Sequence, residues 1–180
     1  MKNTQQHAYP NWQVEPRWVI IAQTLEANNM IVIQFSKSNT ITSKLIRLFT
    51  WSWASHVDFV MDHGDLLGAT FKEGVCIRDG LKEARKFSKT ERYTVELSLE
   101  DEQAVLRAVA SQMDKKYDVM GVLGIFFRRK MQRRNRWFCS ELVAWAFQES
   151  GNPLLKQKAG RITPRDLLMS TKLIHVKDIK

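Results

Sequence analysis

Residues 137–149 read Trp137-Phe138-Cys139-Ser140-Glu141-Leu142-Val143-Ala144-Trp145-Ala146-Phe147-Gln148-Glu149, with Gly151 two positions on. Leu142, Val143, Ala146 and Phe147 recur at the three-and-four spacing of one helical stripe. Gly151 is the residue type that lets a chain leave a helix. The segment is therefore expected to be a helix with one face packed on apolar partners. Cys139 opens it and precedes Leu142 and Val143 by three and four positions, so it shares their inward face. Unpaired N–H groups and the positive end of the helix dipole favour a thiolate at that point. A thiolate beside a histidine is the smallest nucleophile-and-base set for acyl transfer. Glu141, in the first turn, suits the helix N-terminus.

Working outward, the helix needs a sheet to pack on. Ser55-His56-Val57-Asp58-Phe59-Val60-Met61 alternates as a strand, with Val57, Phe59 and Met61 on one face and His56, Asp58 and Val60 on the other. Four histidines could serve as the base: His7 in a polar arm, His63 in the turn His63-Gly64-Asp65, His175 near the C-terminus, and His56. Only His56 lies inside a sheet strand on a face that could look toward a packed helix. Spacing alone leaves the pair open, because a single Cys in an apolar helix is usually core packing.

Further strands are expected at Met30–Phe35, Leu66–Phe71, Val75–Arg78, Tyr93–Leu97 and Lys172–Val176. Ser36–Asn39 reads as turn chemistry. Helices are expected at 40–49, at 99–113 with the acidic first turn Glu100-Asp101-Glu102, at 118–127 capped by Asp118, and after Pro164. Phe49, Trp51 and Trp53 read as packing, or as a lining for the cleft near His56. Cys76, between Val75 and Ile77, reads as an inert strand thiol. Strands in the middle with helices around them give an α+β class with a mainly antiparallel sheet.

The 180 residues suit one domain. Residues 1–29 form a polar arm with Pro10 and Pro16 and a short helix over 17–27, leaving 30–180 as the domain. The chain carries 28 Lys and Arg against 19 Asp and Glu, a net charge of +9. Six of those cations fall in 128–136: Arg128, Arg129, Lys130, Arg133, Arg134 and Arg136. Without them the balance is 9 − 6 = +3. The excess is one local patch, which fits an anion-binding loop or a polyanionic surface and argues against sequence-specific nucleic-acid binding. Two cysteines make neither a disulfide framework nor a zinc site of their own, and no cofactor or metal is expected. No apolar run approaches a transmembrane span and no secretory signal opens the chain. Synthesis and residence in the cytoplasm are expected, with lysis or a dedicated machine as routes of release. Oligomeric state stays open.

The stretch Arg136-Trp137-Phe138-Cys139-Ser140-Glu141-Leu142-Val143 resembles the nucleophile helix of the NlpC/P60 superfamily of papain-like cysteine hydrolases. More closely, it resembles the circularly permuted branch that includes the YiiX/YaeF-like proteins, in which the histidine precedes the cysteine. Ile31–Phe35 resembles that branch's opening strand, Ser43–Arg47 with Thr50 its first helix, and Ser55-His56-Val57 its histidine strand. Gly74-Val75 resembles the next hairpin, Tyr117-Asp118 with Gly121 the approach to the nucleophile, and Ile162–Leu167 the late turn-helix. The ordered set spans residues 30–170.

The resemblance implies a permuted papain-like fold with Cys139 as nucleophile and His56 as base. Asp58, Tyr117 and Ser140 are possible orienting or site-lining residues. The implied substrate is an amide, such as a cell-wall peptide. A lipid-directed thioesterase or acyltransferase with the same dyad is the alternative, and a catalytically silent binding module the third. Such families place a third polar residue on the strand after the histidine, and the matching position here is Gly68, which has no side chain to offer. Asp58 shares the strand face of His56, but i and i+2 residues stand about 6–7 Å apart along a strand, so a direct bond between them is not assured from sequence.

Overall fold

The computed structural model describes residues 29–117 and 136–176. The expected helices at 17–27 and 118–127, the Asp118 cap and the cations of 128–135 lie outside the described residues.

A six-stranded antiparallel sheet is the frame. Its strands are β1 (Met30–Ser38), β2 (His56–Val60), β3 (Leu66–Thr70), β4 (Gly74–Arg78), β5 (Phe87–Glu96) and β8 (Ile174–His175), in the order β4-β3-β2-β1-β5-β8. A separate parallel pair joins β6 (Lys116–Tyr117) to β7 (Arg136–Trp137). The helices are α1 (Ile41–Thr50), α2 (Gly80–Ala84), α3 (Leu99–Ala110), α4 (Cys139–Glu149) and α5 (Pro164–Leu168). The architecture is mixed α+β, as the sequence predicts.

Alternation builds the core. Ile31, Ile33 and Phe35 of β1, Val57 and Phe59 of β2, Leu67 and Ala69 of β3 and Val95 of β5 are buried in one cluster. Val105 and Val109 of α3 and Leu142, Val143, Ala146 and Phe147 of α4 belong to the same cluster. Phe147 stacks on Phe59 with ring centroids 6.2 Å apart. The α4 stripe is thus seated on the Val57/Phe59 side of the sheet, which fixes where its N-terminus lies.

Local chemistry sets the helix ends. Thr40 caps α1 by accepting from the Ser43 N–H at 3.2 Å, and Ser98 caps α3 by accepting from Asp101 at 3.1 Å. Thr163 and Asp166 cap α5 reciprocally, the Asp166 carboxylate accepting from the Thr163 N–H at 2.8 Å. Gly74 holds φ +74 at the β3–β4 turn, where a Cβ would overlap the Lys115 carbonyl, so β4 lies close along the turn leading to β6.

Some boundaries differ from expectation. β1 continues through the predicted turn to Ser38, and β5 begins at Phe87 instead of Tyr93. Each supplies the other's ladder, from Met30↔Glu96 through Lys37↔Lys89, and pairing overrides the turn propensity of Ser36–Ser38. α3 ends at Ala110, before a turn with Asp114 at φ 63. Trp137 pairs with Tyr117 in the parallel strand pair and does not open α4. Trp51 is no packing residue. It terminates α1 in left-handed geometry, φ 51, and is 82% exposed, because the reversal turns it away from the sheet.

Candidate active site

The site forms where the N-terminus of α4 meets the first residue of β2. Phe138 is the extended residue before α4, and its N–H donates to the Glu141 carboxylate at 3.4 Å. Glu141 thus caps the first turn, as expected, and Cys139 takes the first helical position. Cys139 is buried, and it is near enough to the imidazole of His56 to act on its charge. His56 begins β2 opposite Ser36 of β1. The preceding residue, Ser55, donates its N–H to the Ser36 carbonyl at 3.0 Å and joins the Ser43 hydroxyl of α1 at 2.6 Å. The strand end that carries His56 is therefore tied to both β1 and α1.

The imidazole also reaches its own strand. His56 Nε2 lies 3.0 Å from Asp58 Oδ1. The doubt raised by i, i+2 spacing is resolved by Gly68: a Cβ built there would overlap Asp58 Oδ1. Gly68 continues the β2–β3 register opposite Asp58, since Phe59 pairs with Leu67. The missing side chain at position 68 is thus the space that the Asp58 carboxylate occupies while it turns toward His56. Asp58, the possible orienting residue on the strand face of His56, thus makes the contact that Gly68 cannot.

Asp58 is fully buried and does not stand alone. The Arg78 guanidinium of β4 donates to the same Oδ1, and its other nitrogen donates to Glu83 of α2 at 3.1 Å. Arg78 is 8% exposed at its side chain. A line of charge therefore runs His56–Asp58–Arg78–Glu83 across three strands to a helix. Asp58 Oδ2 has no hydrogen-bond partner among the described residues.

These neighbours set the imidazole's charge. Burial alone would lower the His56 pKa. The Asp58 charge, then that of Cys139, and hydrogen bonds to both outweigh it and raise the value from 6.5 to about 10. At neutral pH the arrangement favours an imidazolium beside sulfur. Cys76 has the opposite setting: burial pushes its thiol up to about 11, with the hydrogen bond it donates to Glu73 adding to the shift.

The remaining candidates separate. The Ser140 hydroxyl is spent on the Ile162 carbonyl at 2.6 Å, so it ties α4 to the segment before α5 and takes no part in the imidazole's contacts. Tyr117 stands opposite Trp137 in the parallel pair, two residues before Cys139. Arg136 enters through the backbone of that pair. His63 occupies a 3-10 turn at φ 62. His175 packs on Tyr93 at the β8 edge, two strands away from β2. His7, Arg128, Arg129, Lys130, Arg133 and Arg134 lie outside the described residues.

Sequence reasoning missed Arg78 and Glu83. The available signal was parity: Arg78 alternates with Cys76, which pairs with Gly68. A charged residue on the face where a strand glycine leaves room points to a buried partner.

No protein-family model matches the chain, and no curated protein matches it in sequence. Among solved structures it is similar to the crystal structure of the metalloprotein yiiX from Escherichia coli O157:H7, DUF1105. The TM-score is 0.63 at 18% identity, covering 84% of this chain and 98% of that one. The α+β fold with its antiparallel sheet is therefore shared with a YiiX-like protein. Among the described residues no group of three His, Cys, Asp or Glu side chains is placed to hold a metal ion, and Asp58 is already held by Arg78. Among them, too, no helix is long and apolar enough to cross a membrane.

Proposed function

We propose that the protein is a cysteine hydrolase of the permuted papain-like type, with Cys139 as nucleophile, His56 as acid and base, and Asp58 as the residue that orients His56. One observation carries the reading: a single imidazole is hydrogen-bonded to a buried carboxylate and has a thiol at a helix N-terminus as its other charged neighbour. The order of His56 before Cys139 is that of the permuted branch, and the likeness to a YiiX-like fold supports it.

The chemistry follows from the charges. The Cys139 thiolate attacks the carbonyl carbon of an amide, and the oxygen gains the electron pair of the π bond. N–H groups at the start of α4 face that oxyanion. Its collapse breaks the C–N bond as the His56 imidazolium gives its proton to the leaving amine. A thioester on Cys139 remains. Neutral His56 then takes a proton from water, the hydroxide attacks the thioester, and the thiolate leaves with the imidazolium restored. Asp58 holds the ring in place and stabilises its charge throughout.

A cell-wall peptide is the leading substrate class and an acyl lipid the alternative. The exposed apolar side of α1, beside the strand end that carries His56, favours the second. The binding-module reading rested on Gly68 as a missing orienter, and Asp58 removes that support. Incubation with purified peptidoglycan and, separately, with acyl-ester vesicles, followed by intact-mass analysis, tests the proposal. An acyl adduct lost in Cys139→Ala is expected. No adduct and no product from either would leave the fold without the activity.

A further inference from the structure

α1 is built inside out. Its inward face is mostly hydroxyl: Ser43 bonds Ser55 at 2.6 Å, and the Thr50 hydroxyl donates back to the Ile46 carbonyl at 2.8 Å, with Ile46 the one apolar side chain buried between them. Its outward face is apolar. Ile41, Leu45 and Leu48, spaced four and three apart, are 77%, 45% and 65% exposed, and Trp51 follows at 82%. A helix in a water-soluble domain ordinarily turns such a stripe to the core, so a contiguous apolar face in this position marks an interaction surface.

Charge decides the occupant. Residues 36–55 contain Lys37, Lys44 and Arg47 and no acid. Lys44 is exposed, and Arg47 is steered along the helix by its Nε donating to the Ser43 carbonyl at 3.3 Å. A hydrophilic polyanion would meet the cations but bury none of the apolar stripe. A second copy docking symmetrically would oppose this acid-free cationic face to another like it. An anionic bilayer answers both features, taking Leu and Ile into the acyl boundary, Trp into the headgroup layer and the cations against phosphate. We propose that the outer face of α1 docks this protein on an anionic lipid bilayer. Because Ser43 holds Ser55, the residue before His56, docking brings the His56 end of β2 toward the lipid surface. The docking stands independently of the chemistry proposed for Cys139.

Co-sedimentation of the whole protein with phosphatidylglycerol–phosphatidylcholine vesicles and with pure phosphatidylcholine vesicles tests this. The expected result is binding to the mixed vesicles that weakens at least about tenfold in the Leu48→Ser, Trp51→Ser double variant. The Lys44→Gln, Arg47→Gln variant should lose the preference for the anionic vesicles. Both pairs are surface changes, and unchanged melting confirms that the fold is intact. No binding by the wild-type chain overturns the proposal, as does equal binding by the double serine variant, which would place attachment elsewhere. A wild-type dimer in light scattering that becomes monomeric in the serine variant, without vesicle binding, assigns the face to a second copy and likewise overturns it.

Discussion

Val57 and Phe59 leave β2 on one side, and His56 and Asp58 leave it on the other. The first pair is buried by apolar contact and seats α4 through Phe147. The second pair is held by charge, with buried Asp58 shared between part-exposed His56 and Arg78. The two sides tolerate change differently. Apolar packing loses stability in proportion to what is removed. A buried carboxylate instead depends on geometry, since one displaced oxygen leaves two cations unmatched. The apolar side fixes where Cys139 stands, and the polar side fixes how His56 meets it.

Substitutions can break this division at graded cost. His56→Ala should lower turnover by about a thousandfold or more, with a lowered melting temperature at neutral pH from loss of the imidazolium–Asp58 pair, while the apolar core is not touched. Initial rates and thermal melts on one preparation check it. Phe147→Ala should cost about 3–5 kcal/mol of stability, read from denaturant midpoints. It should reduce activity only in proportion to the folded fraction. Gly68→Ala should do the reverse. Its methyl collides with Asp58 Oδ1, so stability falls by only about 1–3 kcal/mol. Turnover by the fully folded enzyme should drop by roughly ten- to a hundredfold as the orienting bond is pushed off line. Unchanged kinetics in folded Gly68→Ala would show that the Asp58 contact does not guide His56.

The smallest effect is a displacement along the pH axis. The His56 pKa is raised by Asp58 and Cys139 to about 10. The active imidazolium should therefore persist well past 6.5, and the alkaline limb of kcat/KM should lie toward 10. Asp58→Asn should bring that limb down. Stability follows the same sign: the contribution of His56 is complete below the unfolded value near 6.5 and disappears as pH rises through the folded value. An alkaline limb that Asp58→Asn leaves in place would detach Asp58 from the imidazole.

Much of this was legible from residues. The α4 stripe, the alternation of β2 and the helix after Pro164 are local patterns, and the structure forms them where they are written. The meeting of His56 with Cys139 follows from seating one pattern on the other. Asp58 and Gly68 were legible only as separate oddities. Their complementarity depends on register, since position 68 falls opposite 58 only when Phe59 pairs with Leu67. Arg78 and Glu83 were hidden for the same reason, being brought to Asp58 by β4 and α2. The outward apolar side of α1 was not legible, because periodicity reports a stripe and not the direction it faces. Ser43 and Thr50 turn inward for hydroxyl partners near Ser55 and Ile46, which no helical repeat encodes.

The central claim is that Cys139 and His56 act as a pair, and alkylation of the two cysteines against pH tests it most directly. Wild-type protein and His56→Ala are treated briefly with iodoacetamide from about pH 5 to 9, a range that spans the ordinary His and Cys values, and each cysteine is quantified by peptide mass. Cys76 should stay slow throughout, since its thiol is held up to about 11. Cys139 should react first in the wild type even near pH 6, despite its burial, and slow markedly in His56→Ala because the imidazolium partner is gone. A Cys139 rate no faster than that of Cys76, or one indifferent to His56, would contradict the pair and leave the YiiX-like fold without the proposed chemistry.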